Sequence, residues 1–175
     1  MKVSVNWIRY YNDRYQSSAD PMPKGIDALV EKIGAQLGAV EEVINVGQKY
    51  EGIVVAKVIK CEKHPNADKL SLCLLDDAKA VKKVKRNSAG LVEVVCGAPN
   101  VKAGQFVAWI PPGVTVPSTM DKEPFVLEAR EIRGKVSNGM IASQKELDLG
   151  DDHEGILVID QPAKPGLPFA KAYDL

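Results

Sequence analysis

The residues in this sequence with catalytic or metal-binding potential are three cysteines, Cys61, Cys73 and Cys96, and two histidines, His64 and His153. Cys61-x-x-His64, followed by Cys73 and Cys96, contains the thiolate and imidazole donors of a tetrahedral zinc site. The spacing opposes that assignment, because there is no Cys-x-x-Cys pair and each cysteine lies in an apolar run where a thiol serves as a small hydrophobe. Three core thiols and no metal are expected; a Cys/His metalloenzyme is the rival that bound metal would reveal. A Cys/His hydrolase has no better support, since neither histidine has an evident orienting partner. His153 sits in Asp151-Asp152-His153-Glu154 and reads as a solvated surface histidine. Neither GxxxxGK[ST] nor GxGxxG after a strand is present, so nucleotide chemistry by those loops is not expected.

Two further segments could bind rather than react. His64-Pro65-Asn66-Ala67-Asp68-Lys69-Leu70 stands between two strand-like runs: Pro65 sets φ, while Asn66 and Asp68 can bond their own backbone. On composition alone it is a turn. Lys79, Lys82, Lys83, Lys85 and Arg86 form a basic run with no acid among them, able to grip a phosphate backbone by releasing counterions. The competing reading is a solvated tip kept soluble by lysines.

These segments must be carried by elements that the pattern outlines. Val3 and Val5 alternate with polar neighbours as a short strand, and Asn6 is placed to cap a helix over Trp7, Ile8, Tyr10 and Tyr11 that ends near Asp13. A loop is expected at Ser17 to Pro23. Ile26, Leu29, Val30, Ile33 and Leu37 then recur at helical spacing, with Gly38 to close the helix and Val40, Val43, Ile44 and Val46 as a strand. From residue 52 onward the runs are short and β-like: Ile53 to Cys61, Leu70 to Leu75, Leu91 to Cys96, Phe106 to Ile110, Val114 to Val116, Phe125 to Ile132 and Ile156 to Ile159. Turn residues such as Pro111-Pro112-Gly113 and Ser137-Asn138-Gly139 separate them, as in a small Greek-key barrel. The fold class is therefore mainly β with an α/β flank: an OB-fold Greek-key β-barrel over 46–160, inserted in a small α/β domain formed by 1–45 and completed by the proline-rich tail 161–175.

Composition bounds what such a chain can do. At 175 residues it can bury a real core, and 45% hydrophobic with 26% charged residues is globular usage. Lys plus Arg is 23 and Asp plus Glu is 23, so no bulk field argues for nucleic acid or membrane. The balance holds within the barrel, with 16 basic and 16 acidic residues over 46–160. Charged residues interrupt every apolar run short of a membrane span, and the N-terminus lacks a signal-peptide pattern. An odd cysteine count in a chain of this size fits a reducing compartment. A cytoplasmic protein is expected.

Several segments occur in a fixed order: Gly52 to Val58, His64 to Leu70, Val94 to Val101, Ile132 to Ser143, Glu146-Leu147 and Gly155-Ile156. That order closely resembles the tRNA-binding OB domain shared by the bacterial phenylalanyl-tRNA synthetase β subunit, the methionyl-tRNA synthetase C-terminal extension and free-standing tRNA-binding proteins. Met1 to Trp7 and Val40-Glu41-Glu42-Val43 are similar to the opening of the phenylalanyl-tRNA synthetase β family, whose much longer chain makes this an expected N-terminal fragment. Asp76 to Gly90 departs from the family pattern in length and basicity.

The resemblance implies a binding module that supports aminoacylation without catalysing it, partnered by tRNA, a catalytic α subunit and the remaining β-subunit domains. It implies no cofactor in this fragment, with ATP and Mg²⁺ used on other domains. An OB barrel binds through a positive groove. Aromatic residues make up only 6% of the chain, so phosphate and ribose contacts should outweigh stacking. On the matched motifs the expected RNA-binding residues are Lys69, Arg133 and Lys135 for phosphates, with Asn66, Ser137, Asn138 and Ser143 as hydrogen-bonding groups. Each has a structural rival: Ser137-Asn138-Gly139 as a plain turn, Met140 as core, Arg133 paired with Glu131 or Glu128. The basic run Lys79 to Arg86 should add a smaller, non-specific share. Two other functions remain open at this point, a scaffold domain that touches tRNA little and a free-standing tRNA-binding protein.

Overall fold

The computed structural model describes residues 2–15, 22–160 and 163–175, which divide into two compact units, Met1–Asn45 and Val46–Leu175. Most of the expected loop at 17–23 and the first two residues of the expected tail lie outside the described residues.

The first unit holds α1 (Val5–Tyr15) and α2 (Ile26–Gln36) and, among the described residues, no strand. The expected strands at Val3–Val5 and Val40–Val46 are not formed, so this unit is helical rather than α/β. A strand needs a neighbour to take its backbone bonds, and Val3, Val43, Ile44 and Val46 are instead exposed. Helix α1 starts earlier than expected because Ser4 rather than Asn6 opens it: Ser4 Oγ accepts from the Trp7 amide at 3.4 Å and Ser4 O from the Ile8 amide at 3.1 Å. Helix α2 follows its periodic residues and ends as expected, the Leu37 and Gly38 amides both reaching Ile33 O.

The second unit is a nearly closed antiparallel barrel of the OB type. Its strands are β1 (Val54–Lys63), β2 (Ser71–Asp76), β3 (Val92–Cys96), β4 (Phe106–Ile110), β5 (Ala129–Ile132), β6 (Lys135–Asn138) and β7 (Met140–Ile141). The main sheet runs β3-β2-β1-β4-β7, and β5 and β6 form a separate hairpin. Long β1 serves both neighbours, pairing with β4 through Val54–Lys57 and with β2 through Lys57–Lys63, with a register shift between Val58 and Lys60. The expected strands at 114–116 and 156–159 contribute single bridges only, Thr115 to Val126 and Val107 to Val158.

Two cores share this sheet. Val54, Ala56, Val58, Cys73, Leu75, Val92, Val94, Val107, Trp109 and Ile141 alternate along their strands and fill the barrel. The opposite faces of β1 and β4 carry Val55, Ala108 and Ile110, which would be exposed without a cover. The tail supplies it: the Val55 amide donates to Leu167 O at 2.9 Å, the Phe169 amide to Ile53 O at 2.9 Å, and Phe169 at the head of α3 (Phe169–Ala172) is fully buried beside Tyr50. The described tail therefore groups with the barrel unit, not with residues 1–45, because the continuous apolar runs of β1 and β4 demand burial on both faces.

Candidate nucleic-acid interface

The chemistry-bearing corner is the connection from β1 to β2. Its loop closes on itself, with the His64 amide donating to Leu70 O at 2.8 Å and the Leu70 amide to Ala67 O at 3.2 Å. The Asn66 amide donates to His64 Nδ1 at 3.1 Å, so the ring proton belongs on Nε2. That Nε2 is buried and has no partner among the described residues. The turn expected from composition is present as geometry; what composition does not show is where the turn leads.

It leads to the tip of the β5–β6 hairpin, because Asn66 Nδ2 donates to Arg133 O at 3.1 Å. At that tip Arg133 and Gly134 have φ of 51° and 85°, the two left-handed positions of a two-residue type I′ turn. Gly suits the second position, whereas arginine at the first carries a backbone cost of roughly 1 kcal/mol. Arg133 and Lys69 are exposed and Lys135 is half-buried, and among the described residues Arg133 makes no ion pair with Glu131 or Glu128. The structure thus joins Asn66 and Arg133 at one corner, with Lys69 on the same loop as the former and Lys135 on the same hairpin as the latter.

Ser137, Asn138 and Ser143 are elsewhere and differently employed. All three are buried. Ser137 Oγ accepts from the Val95 amide and donates to Gly139 O, both at 3.0 Å, while Asn138 Nδ2 donates to Glu93 O at 3.0 Å. These bonds lace β6 to β3, the seam where the main sheet would otherwise stay open. Ser137 and Asn138 thus belong to β6 and not to a plain turn; the chain bends at Gly139 and continues as β7 against β4. Gly139 has φ of 91°, and a Cβ there would lie 2.2 Å from Ile110 O. Trp109 Nε1 donates to Asn138 O at 2.9 Å, tying the barrel's largest core side chain to the seam. Ser143 Oγ bonds the Glu146 carboxylate, which also accepts from the Ser143 amide at 2.7 Å. Met140, half-buried, packs against the second core, as expected. Pattern reasoning missed this function of the two seam residues, because their partners lie more than 40 residues earlier.

The three cysteines are free and pack in or against the barrel core, Cys73 Sγ lying 3.7 Å from Cys61 Sγ on the neighbouring strand. Burial pushes the Cys73 and Cys96 thiols up, away from the thiolate form that a nucleophile or metal ligand requires. No group of three or more His, Cys, Asp and Glu side chains is disposed to hold a metal among the described residues. His153 is exposed.

The basic run is an ordered structure of two parts. Lys79, Lys82, Lys83 and Lys85 are exposed, whereas Arg86 turns inward onto buried Asp77. Among the described residues no helix is long and apolar enough to cross a membrane.

Several known proteins resemble this chain in sequence. The family described as "Putative tRNA binding domain" matches residues 53–168. The "Phenylalanine--tRNA ligase beta subunit" of Salinibacter ruber is 38% identical over 99% of this chain and 20% of its own length. The protein of the same name from Bacteroides thetaiotaomicron is 36% identical over 99% of this chain and 19% of its own. The chain thus spans about a fifth of the length of the curated relatives it matches. A solved structure described as a MetRS related protein from Pyrococcus horikoshii covers 72% of this chain and 96% of its own, at 15% identity and a TM-score of 0.44.

Proposed function

The chain belongs to the tRNA-binding domain family, and from that premise we propose that it is the tRNA-contacting module of a bacterial phenylalanine–tRNA ligase beta subunit. In this reading it acts in the cytoplasm beside a catalytic α subunit and the remaining β-subunit domains, holds no cofactor, and leaves ATP and Mg²⁺ to other domains. It contributes binding to aminoacylation and no chemical step.

The observation that carries the proposal is the bond from Asn66 Nδ2 to Arg133 O, which fixes two exposed segments bearing Lys69, Arg133 and Lys135 as one corner. Arginine in a left-handed turn position where asparagine or glycine would be less costly is a local sacrifice of stability of the kind found at binding sites. Its guanidinium is free to approach a phosphate with paired N–H donors. In this reading Ser137 and Asn138 brace the barrel seam, Ser143 holds Glu146, and none of the three touches RNA.

A salt-dependent gel shift with tRNA tests this. Lys69→Ala with Arg133→Ala should weaken binding at unchanged fold and reduce the salt slope by roughly one per lost phosphate contact. An unchanged affinity and slope would remove the corner as the contact.

A second reading, that the chain serves as a scaffold, is favoured by the N-terminal unit alone. Trp7, Tyr11 and Tyr15 recur at helical spacing on α1, all exposed, with the two tyrosine rings stacked at 6.2 Å. Such an aromatic stripe is a packing surface for protein more than for RNA. Undetectable tRNA binding by the parent chain at low salt would favour this reading.

A further inference from the structure

The segment between β2 and β3 has no regular secondary structure, yet it is built around a carboxylate that no solvent reaches. Asp77 accepts from four donors: the Lys79 amide at 3.3 Å, the Val81 amide at 3.0 Å, and Arg86 Nη1 and Nη2 at 2.6 and 2.9 Å. The same guanidinium donates to Val81 O at 2.7 Å and Gly90 O at 3.1 Å. Val81 and Val84 pack against the barrel core. Downstream, Asn87 Oδ1 accepts from the Ala89 and Leu91 amides, both at 3.0 Å. Residues 77, 81, 84 and 86 therefore anchor the segment from inside.

The residues between them point the other way. Lys79, Lys82, Lys83 and Lys85 are exposed, and among the described residues none forms an ion pair. Within residues 76–92 the only acid besides Asp77 is Asp76, whose Oδ1 is already taken by the Ala78 amide at 2.8 Å. Four cations held together on an anchored backbone repel one another, and a polyanion relieves that repulsion. Because the backbone is fixed beforehand, binding need not order it.

We propose that the segment 77–90 is a second, preformed contact for an RNA phosphate backbone, in which Lys79, Lys82, Lys83 and Lys85 meet phosphates and Arg86 is a positioning residue. The proposal rests on the tRNA-binding reading above and adds a site to it. Strand β2 separates the two contacts: the His64–Leu70 loop precedes Ser71 and this segment follows Asp76, which puts them about 17 Å apart at the rise of an extended strand. No single phosphate can serve both, so their shares of the salt dependence add. Lysine presents a point charge with rotatable donors, which suits backbone contact without base selection. The new contact is therefore blind to RNA sequence.

The test measures binding of the 175-residue chain to tRNA across a KCl series for the parent and three variants. Lys82→Ala/Lys83→Ala/Lys85→Ala should lower the salt slope by about two, at roughly 0.7 to 0.9 per phosphate, and weaken binding to unrelated structured RNA as much as to tRNA. Arg86→Met keeps every lysine; it should nonetheless lower the slope and make trypsin cleavage at Lys82, Lys83 and Lys85 faster than in the parent. Lys69→Ala/Arg133→Ala should retain the share carried by this segment. If the triple variant binds with parental affinity and slope while Lys69→Ala/Arg133→Ala loses binding, this proposal is overturned and the tRNA-binding reading stands. If the parent binds no RNA at low salt, both fall together.

Discussion

Replacing Ser137 by alanine separates a seam residue from an RNA contact. The hydroxyl satisfies two backbone groups at once, the Val95 amide and Gly139 O, and both residues are buried. Alanine fits the same space but leaves that donor and that acceptor without partners, at roughly 1–3 kcal/mol for each stranded group. A loss of about 2–6 kcal/mol follows, a large part of the 5–15 kcal/mol that typically holds a domain. With a urea m-value of about 2 kcal/mol/M, the midpoint should drop by roughly 1–3 M. Tryptophan emission is a suitable probe, because Trp109 is fully buried and hydrogen-bonded to the same seam whereas Trp7 is 70% exposed. Lys135→Ala on the same strand is the control: half-buried and unbonded to the seam, it should leave the midpoint almost unchanged while weakening tRNA binding. The refuting outcome is the reverse pattern, in which Ser137→Ala keeps the parental midpoint and loses affinity for tRNA in native conditions.

Two further perturbations probe the same framework. Gly139→Ala places a Cβ 2.2 Å from Ile110 O and 3.1 Å from Pro111 Cα at a positive φ, and since both obstacles are backbone, a penalty above about 3 kcal/mol is expected; normal soluble yield and an unshifted melting curve would contradict it. Burial of Asp77 pushes its carboxyl up, but the bonds from Arg86 and the Val81 amide, with the guanidinium charge, outweigh that and hold it below its ordinary value. The stability it contributes is complete above the unfolded carboxylate value near 3.9 and is lost as pH falls through the lower folded one. Protection of the Lys79 and Val81 amides, relative to their intrinsic exchange rates, should therefore fall below about pH 4, and in Arg86→Met it should already be low at neutral pH; protection persisting in that variant would show that Asp77 does not organise the segment.

The barrel was legible where a strand's own residues decide its fate. Ile53 to Ala56 and Phe106 to Ile110 are apolar enough, and bounded clearly enough, to read as strands, and they are β1 and β4. The same runs hold a signal that is easily passed over: they are continuous rather than alternating, which calls for a second cover, and residues 167–169 provide it. Val3–Val5 and Val40–Val46 failed for the complementary reason. Alternation indicates that a segment can be a strand but does not supply a partner edge. Ser137 and Asn138 illustrate the limit for the site: hydroxyl and amide side chains serve an RNA backbone or an open sheet edge equally well, and only the position of Val95 and Glu93 in space distinguishes the two. The heptapeptide was recognisable as a turn and a motif, yet its bond to Arg133 spans 67 positions and no local pattern encodes it.

The zero net charge is also less informative than it looks, because acids and bases are used differently along the chain. Asp77 is consumed by Arg86, Asp148 by Lys49, Glu146 by Ser143, and Asp152 Oδ1 accepts from the Glu154 amide at 3.0 Å. Lys49 is correspondingly raised, first by its hydrogen bond to Asp148. Several carboxylates thus fasten loops, while Lys79, Lys82, Lys83, Lys85 and Arg133 remain exposed and form no ion pair among the described residues, Lys82 Nζ donating only to Lys79 O at 3.2 Å. A balanced total excludes a strong far field, but beyond roughly 10 Å at 0.1 M salt that field is largely screened in any case. What a phosphate meets at contact is the local arrangement, and at the segment after β2 both neighbouring carboxylates, Asp76 and Asp77, are already hydrogen-bonded. In the proposed reading, such a barrel gives up long-range steering and keeps a short-range grip, with any selectivity resting on the corner that precedes β2 and the lysines that follow β2 adding affinity alone.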